Sequence, residues 1–221
     1  MSDSASTIVL PRPRTKGRMS VEEAILKRRS IREYLRRPIT LGQLSQLLWA
    51  AQGITDKESG HRAAPSPGAK YALELYVFTR EGGVTGLPAG IYHYEPPLHT
   101  ITRVKTGDHT SSLQSATGGQ EQIGQAAAII AVTAVFERAT VKYKERGIQY
   151  VMQESGSVAE NVHIQSAALG LGTVMMGAFD ESEVGLILGL KKGERPLLLM
   201  SLGAPAQAAR ARSQATTGQT Q

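Results

Sequence analysis

The sequence contains no cysteine, has few aromatic residues and lacks a long apolar run. Without cysteine there can be no disulfide framework, thiolate zinc site, iron–sulfur cluster or cysteine nucleophile. The longest largely apolar run extends from Ala126 to Phe136, well short of the roughly 20 residues that a membrane-spanning helix needs. The N-terminus also has no apolar signal-peptide core. The missing signal-peptide core predicts a cytoplasmic protein, and the missing membrane-length run predicts no membrane partner.

The excess of positive charge lies at the two ends of the chain. The formal net charge of the 221 residues is +6. Residues 1–18 and 206–221 carry most of it, which leaves 19 basic and 18 acidic residues for 19–205. A nearly neutral body offers no charged stripe for a phosphate backbone, and an aromatic content of 5% is low for stacking on bases. We therefore expect no nucleic-acid partner, and the scattered histidines predict no metal site.

Composition and periodicity divide the chain into three parts. Residues 1–18 mix Ser, Thr, Pro and Arg without periodicity, which predicts a flexible basic arm. Residues 19–205 carry the folding signals and form one predicted domain, and residues 206–221 form a C-terminal tail. Capping boxes and helical spacing predict helices over residues 20–29, 40–53, 147–169 and 180–188. Apolar alternation or continuity predicts strands over 73–78, 90–95, 98–104, 128–136, 173–178 and 197–202, hence an α+β fold with a helix-covered sheet.

A cluster of arginines stands at the end of the first predicted helix. Arg28, Arg29, Ser30 and Arg32 place three guanidinium groups and a hydroxyl within five residues. If the chain continues helically or turns tightly, Arg28 and Arg32 can grip one dianion such as a phosphate. The alternative is a solvated basic helix end that favours the negative pole of the helix dipole.

Two segments of small residues offer close approach of the backbone to a flat ligand. Residues 64–69 read Ala-Pro-Ser-Pro-Gly-Ala, inside a predicted loop over 53–70; alone, such a segment is more often only a turn. Residues 169–179 are rich in glycine, but they follow a helix and enter a strand. The dinucleotide-binding fingerprint requires strand before helix, so a Rossmann fold is not predicted.

In this order, these segments resemble the nitroreductase-like FMN-dependent oxidoreductases, and most closely their SagB-type dehydrogenase branch. The resemblance covers residues 20–203 and is carried by Arg28–Arg32, Pro65–Ala69, Glu74–Tyr76, Gly90–Tyr94, Gln153–Asn161 and Gly170–Asp180. It implies a nitroreductase-like fold with a central, mostly antiparallel sheet flanked by helices. It also implies an intertwined homodimer with FMN at the subunit interface, so that residues 19–205 would be the FMN-binding domain.

The same resemblance implies which residues bind FMN. Arg28, Ser30 and Arg32 would bind the ribityl phosphate and the pyrimidine side of the flavin, and Gly177 and Ala178 would lie near N5. The loop at 65–68 would come from the partner subunit, and Arg210 with Arg212 would close on the phosphate. The full implied set is Arg28, Arg29, Ser30, Arg32, Pro65, Ser66, Pro67, Gly68, Gln153, Met176, Gly177, Ala178, Gly203 and Arg210.

The implied activity is hydride transfer through flavin N5. The donor would be NADH, NADPH or an organic substrate, and the acceptor a nitro or quinone-type compound or oxygen. Because the flavin carries the chemistry, no catalytic side chain is predicted. A flavin-binding scaffold or carrier without turnover is the alternative. The chain departs from the branch at residues 66–72, where Ser-Pro-Gly-Ala-Lys-Tyr-Ala replaces Ser-Ala-Gly-Ala-Leu-Tyr-Pro, and the azoline oxidation of some branch members is not carried over.

The long predicted helix also carries two acidic residues that could form an acid–base pair. Glu154 and Glu160 are six residues apart, which places them on different faces of a helix. We therefore expect packing or surface roles for them.

Overall fold

The computed structural model describes residues 6–206. The helices are α1 (Val21–Lys27), α2 (Leu41–Gln52), α3 (Thr110–Ala116), α4 (Glu121–Gln125), α5 (Glu137–Tyr143), α6 (Arg146–Ala168) and α7 (Glu181–Leu188). The strands are β1 (Thr7–Val9), β2 (Tyr34–Leu35), β3 (Ile39–Thr40), β4 (Ile54–Asp56), β5 (His61–Arg62), β6 (Leu73–Thr79), β7 (Val84–Thr85), β8 (Gly90–Glu95), β9 (Thr100–Thr106), β10 (Ala128–Val135), β11 (Gly172–Met176) and β12 (Glu194–Pro205).

One sheet organises the domain, with strand order β1-β9-β8-β6-β10-β12-β11, and β2 pairs with β12. Neighbouring strands in this sheet are antiparallel. Two short pairs lie outside it, the parallel pair β3–β7 and the antiparallel pair β4–β5. The predicted α+β fold with a mostly antiparallel sheet is confirmed.

Helices cover both faces of the sheet because β10 is apolar on both sides. Ile130 and Val132 face a core shared with α2 and α6. Ile129 and Ala131 face a second core shared with α3, α4 and α7. Adjacent strand residues point to opposite faces, so the continuous apolar run at 128–135 predicts this burial on both sides.

The longest helix, α6, forms as its sequence predicts. Val151, Val158 and Val162 are fully buried at helical spacing. The helix ends at Ala168, and Gly170 follows with a φ of 68°, a left-handed conformation that glycine adopts without steric cost. This helix contacts α1, α2, α5 and several strands, and it therefore connects the regions that carry the predicted site residues.

The described part of the N-terminal segment differs from the predicted flexible arm. Thr7–Val9 form β1 and pair with β9 at the edge of the sheet. Leu10 is 3% exposed, and the side-chain amide of Gln46 exchanges hydrogen bonds with the backbone of Arg14. Residues 6–18 therefore pack on the domain. The sequence missed this strand because its pairing partner is distant along the chain.

The predicted loop over residues 53–70 also contains regular structure. It includes the β4–β5 pair and a short 3-10 turn at Pro67–Ala69. Within residues 6–206, no helix combines the length and apolar character that crossing a bilayer requires. The same range contains no group of three or more His, Cys, Asp or Glu side chains that could hold a metal ion.

Candidate functional site

The arginine cluster leaves α1 as extended chain. The helix ends at Lys27, and the backbone N–H of Arg28 donates to Ala24 O. Ser30 then forms a parallel bridge with Thr173 of β11. Extended residues rise about 3.3 Å each, so Arg28 and Arg32 can lie up to roughly 13 Å apart. The helical or tightly turned arrangement in which Arg28 and Arg32 would bind one dianion together is not formed. The two side chains can instead contact different parts of a longer ligand.

An open face lies beside the end of β11. Bridged residues of neighbouring strands point to the same side, so Ser30 and Arg32 lie on the side of Thr173 and Met175. We call the exposed surface at this point the open face, and it consists of Ser30, Arg32 and Met175 together with Gly177 and Ala178, two exposed residues that follow β11. Ile31, pointing the other way, packs against the second core and against Gly172, where a Cβ would lie 2.7 Å from Ile31 Cγ2. This contact holds the segment against β11.

A cleft of about 280 Å³ adjoins the open face, between the end of α1, α6 and the start of β11. Lys27, Arg28 and Arg29 line it. Three buried polar atoms of lining residues have no hydrogen-bond partner among residues 6–206, namely His163 Nδ1, Ser166 Oγ and Thr173 Oγ1. Buried polar groups are nearly always paired in folded proteins. Unpaired groups beside three cations therefore indicate a place for an anionic, hydrogen-bonding ligand.

The charged side chains of the cleft have different local roles. Burial lowers the pKa of His163, and the positive charge of Arg28 lowers it further. Arg28 Nε is 3.9 Å from Glu160 Oε1, a loose ion pair that leaves the guanidinium available to a ligand. Arg29 Nη1 instead donates to the carbonyls of Leu26 and Arg28, at 2.9 and 2.7 Å. Arg29 thus hydrogen-bonds to the backbone at the end of α1.

The loop over residues 65–68 is hydrogen-bonded to α6. Ser66 Oγ donates to Glu154 Oε2 at 2.7 Å and accepts from the backbone N–H of Tyr71 at 2.8 Å. Gly68, Ala69 and Tyr71 have left-handed φ angles of 58°, 53° and 46°. Such angles are unfavourable for residues other than glycine, so surrounding contacts must hold this loop in place.

Helix α6 stands between the loop and the cleft. The loop contacts it at Glu154, whereas the cleft contacts it at His163. These residues are nine apart, which in an α-helix means opposite sides and about 14 Å along the axis. One chain therefore does not bring the loop and the arginine cleft into a single concave site.

The remaining predicted site residues are dispersed. The side chain of Met176 is buried in the second core, with Sδ 3.3 Å from the side-chain amide of Gln122. Gly203 is buried in β12, where a Cβ would lie 2.9 Å from the ring of Tyr34. Gln153 is exposed on α6. Arg210 and Arg212 lie outside the described residues.

Glu154 is buried, and its hydrogen bond with Ser66 was not predicted from the sequence. It is 2% exposed, and burial raises the pKa of its carboxyl while the Ser66 hydrogen bond lowers it in part. The Glu160 side chain is 54% exposed, so the expectation of different faces is confirmed. The burial of Glu154 could have been predicted from its position in the sequence, because it lies on the buried face of α6 with Val151, Ser155 and Val158.

A charged network continues from this loop across β6 and β8. Arg138 pairs with Glu74 Oε1 at 2.6 Å, and its Nη1 donates to Tyr71 O at 2.9 Å. Glu74 Oε2 is 2.9 Å from Nε2 of His93. The network pairs the positive charge of Arg138 with the carboxylate of Glu74 and ties both to the backbone at Tyr71, next to the loop.

Known proteins resemble the chain over nearly its whole length. The Nitroreductase family model matches residues 25–204. MJ1384 of Methanocaldococcus jannaschii, which carries the name of a nitroreductase, is 43% identical over 185 residues, covering 84% of this chain and 91% of that protein. The microcin B17-processing protein McbC of Escherichia coli is 27% identical over 169 residues, or 75% of this chain and 62% of McbC. A crystal structure of a Ralstonia eutropha protein named for nitroreductase superimposes with a TM-score of 0.79 at 32% identity, covering 90% of each chain.

These matches confirm the nitroreductase-like fold and the likeness to the SagB-type branch that the sequence predicts. The family model covers the arginine cluster, the loop and the open face together. The chain therefore belongs to the Nitroreductase family and is an oxidoreductase.

Proposed function

We propose that this chain is an FMN-dependent oxidoreductase of the SagB-type branch that passes hydride through flavin N5. The donor is NADH, NADPH or an organic substrate, and the acceptor is a nitro or quinone-type compound or oxygen. The observation that carries the proposal is the cleft lined by cations and by residues with unpaired buried polar atoms, which lies beside the open face.

The cleft fits the phosphate end of FMN. Arg28 supplies positive charge, and the unpaired hydroxyls of Ser166 and Thr173 can each donate a hydrogen bond to a phosphate oxygen. Ser30 and Arg32 lie farther along the same extended segment, in the direction that the ribityl chain and the pyrimidine ring would take. A basic C-terminal pair, Arg210 with Arg212, would add charge at the phosphate.

The open face fits the flat ring system. Gly177 and Ala178 are exposed and have little or no side chain, so their backbone can approach a ring closely and offer N–H donors. The cation of Arg32 favours the negative charge that a reduced flavin carries near N1. When bound, the flavin supplies hydride chemistry that no side chain of this protein provides, while these residues bind and orient it.

The dispersion of the site supports a homodimer. Helix α6 separates the loop at 65–68 from the arginine cleft of the same chain, so a second chain is needed to bring the two types of element together. Exposed apolar side chains on α1 and α6 offer contact surface, namely Val21, Ile25, Leu26, Ile148 and Met152. We propose that each flavin contacts the cleft of one chain and the loop of its partner.

The first test is the visible absorption spectrum of the purified protein, followed by anaerobic addition of NADH or NADPH. A bound-flavin spectrum that bleaches supports the proposal and identifies the donor class. A flavin that bleaches only with an organic substrate assigns the dehydrogenase direction. A flavin that no donor reduces favours the carrier alternative, and a failure to bind FMN on reconstitution refutes the proposal.

A second test concerns the phosphate end. Replacement of Arg28 by Ala should weaken FMN binding roughly 10- to 100-fold, because a hydrogen bond to a charged group contributes about 1.5–3 kcal/mol. Lys57→Ala, which removes an exposed cation near β4, is the matched control and should bind FMN as the wild type does. Equal affinities for the two variants would contradict the assignment.

A third test separates shared from single-chain sites. Arg28→Ala and Ser66→Ala chains carrying different tags are refolded together, and the mixed dimer is purified. If the loop serves the partner's flavin, one site of the mixed dimer carries neither substitution and binds one FMN with wild-type affinity. If both elements act within one chain, every site carries a substitution and no site of wild-type affinity appears.

A further inference from the structure

Helix α6 carries a buried carboxylate whose hydrogen bond reaches the loop at residues 65–68. Glu154 is 2% exposed, and its Oε2 accepts from Ser66 Oγ at 2.7 Å. Its other oxygen, Oε1, is buried and has no partner at full hydrogen-bond geometry among the described residues, although a hydrogen bond from the Gln52 side chain lowers the pKa of this carboxyl. Burial nevertheless outweighs these contacts and raises the pKa, so the buried carboxylate opposes folding unless its hydrogen bonds offset that cost.

The hydrogen bond from Ser66 is the link that fixes the shape of the loop. Ser66 Oγ also accepts from the backbone N–H of Tyr71 at 2.8 Å, so one hydroxyl joins both ends of the turn to Glu154. Between these ends lie Gly68 and Ala69, which have left-handed φ angles of 58° and 53°. Unfavourable backbone angles persist only where surrounding contacts determine them, and this hydroxyl is such a contact.

Other groups near Glu154 hold its carboxylate in place. The positive charges of Arg62 and Arg138 lower the pKa of Glu154 and thus act against burial, which raises it. Arg62 Nη1 donates to Gln52 Oε1 at 3.1 Å, and Arg138 Nη1 donates to Tyr71 O. Both cations therefore have fixed positions around the base of the loop.

On one side, the loop approaches the ends of two α5 side chains. A Cβ at Gly68 would lie 2.5 Å from Tyr143 Oη and 3.2 Å from Lys142 Nζ. The loop thus lies between Glu154 and the ends of these α5 side chains, while Gly68 itself remains exposed. The Ser66 hydrogen bond, which joins two partly or fully buried residues, is the more rigid of the two contacts.

We infer that Glu154 is a positioning residue that, through Ser66, holds the loop at 65–68 in the conformation needed to contact the flavin. The inference rests on the proposed function, because it concerns the loop that would complete an FMN site. Glu154 acts through another residue and is not assigned any contact with the flavin or any proton transfer.

The test compares Glu154→Ala, Ser66→Ala and the double variant in two measurements. Amide hydrogen exchange of the flavin-free protein reports the loop directly, and FMN dissociation constants report its consequence. We expect faster exchange across residues 66–71 and at least about tenfold weaker FMN binding in each single variant. The double variant should bind within about threefold of the weaker single variant, because the two residues act as one unit.

Two controls keep the result specific. Ser66→Thr retains the hydroxyl and suits the extended backbone of this residue, so it should restore slow exchange and most of the affinity. Ser157→Ala removes a serine hydroxyl on α6 that donates only to Gln153 O, and it should leave exchange in the loop unchanged. Measurements are made below the unfolding temperature of every variant, so loss of folding does not mimic loss of positioning.

The outcomes distinguish the inference from the proposed function. If the wild type binds FMN and Glu154→Ala binds it equally well, or if loop exchange is unchanged in that variant, the inference is wrong and the proposed function stands. Additive losses in the double variant also overturn it, because they assign independent roles to the two residues. Wild-type protein that binds no FMN refutes the proposed function, and the inference with it.

Discussion

Replacing Tyr34 by Phe should destabilise the domain at the point where the arginine segment is attached to the sheet. Tyr34 is 6% exposed, and burial raises the pKa of its hydroxyl, so this group stays protonated. The hydroxyl donates to Ile31 O at 2.6 Å and lies 2.8 Å from Ser201 Oγ, from which it can accept. It therefore joins the segment carrying Ser30 and Arg32 to β12.

The expected loss of stability follows from the Ser201 hydroxyl that the substitution leaves unpaired. In Tyr34→Phe, the Ser201 hydroxyl, which is 0% exposed, loses its hydrogen-bond partner. A buried polar group without a partner costs about 1–3 kcal/mol. For a domain of this size, each kcal/mol corresponds to roughly 2–4 °C in Tm. Urea titrations of the flavin-free protein, all at the same protein concentration, measure the free energy of unfolding.

A double-mutant cycle tests the reasoning. Tyr34→Phe with Ser201→Ala removes both polar groups, so it should cost less than the sum of the single variants. Tyr150→Phe, at a half-buried tyrosine packed edge-on against Tyr143, is the matched control and should change stability by less than about 0.5 kcal/mol. A Tyr34→Phe loss no larger than this control, or strict additivity in the cycle, would refute the argument.

Three further predictions concern other parts of the fold, each measured as the free energy of unfolding. Gly203→Ala should cost about 1–3 kcal/mol, because its Cβ would lie 2.9 Å from the ring of Tyr34. Gly185→Ala, in α7, places its Cβ 4.0 Å from the nearest atom beyond the helix and should stabilise the domain by up to about 1 kcal/mol. Equal effects of the two substitutions would contradict the packing argument. Leu10→Ala should cost about 2–5 kcal/mol because this side chain is 3% exposed, and no loss would support a flexible arm instead. Burial lowers the pKa of His93, but Glu74 more than offsets this effect, so the pKa is raised. Protonated His93 therefore stabilises the folded state fully below pH about 6.5, and this contribution is lost as pH rises through the raised pKa. His93→Asn should flatten this dependence of the unfolding free energy on pH, and an unchanged profile would contradict the argument.

The sequence predicted the elements whose signals are local. The capping boxes at Ser20 and Thr40 form with their own third residues, at 3.1 Å in both cases, and the stripe on α6 is buried at the predicted spacing. These features depend on neighbours within a few residues, so the printed sequence contains both partners of each interaction.

The features that the sequence missed depend on distant partners. The strand at Thr7–Val9 needs β9, whose residues are about 95 positions away. The hydrogen bond of Ser66 with Glu154 joins residues 88 positions apart. The extended path after Lys27 follows from the contact of Ile31 with Gly172. No periodicity within one segment specifies such a pairing, so the geometry of the site could not be read from the motif alone.

Several unfavourable features of the described chain lie at the loop over residues 66–71 or directly against it. Glu154 of α6 is a buried carboxylate, and Ala69 and Tyr71 of the loop adopt left-handed backbone angles; features of these kinds cost about 1–3 kcal/mol each. An apolar residue of similar volume in place of a buried charge is often neutral or stabilising. Folding stability therefore does not by itself favour a carboxylate at position 154, next to the loop at 66–71, over an apolar residue. These features lie at a loop that α6 separates from the arginine cleft of the same chain. This arrangement is expected if the loop is shaped to contact a flavin that a second chain binds.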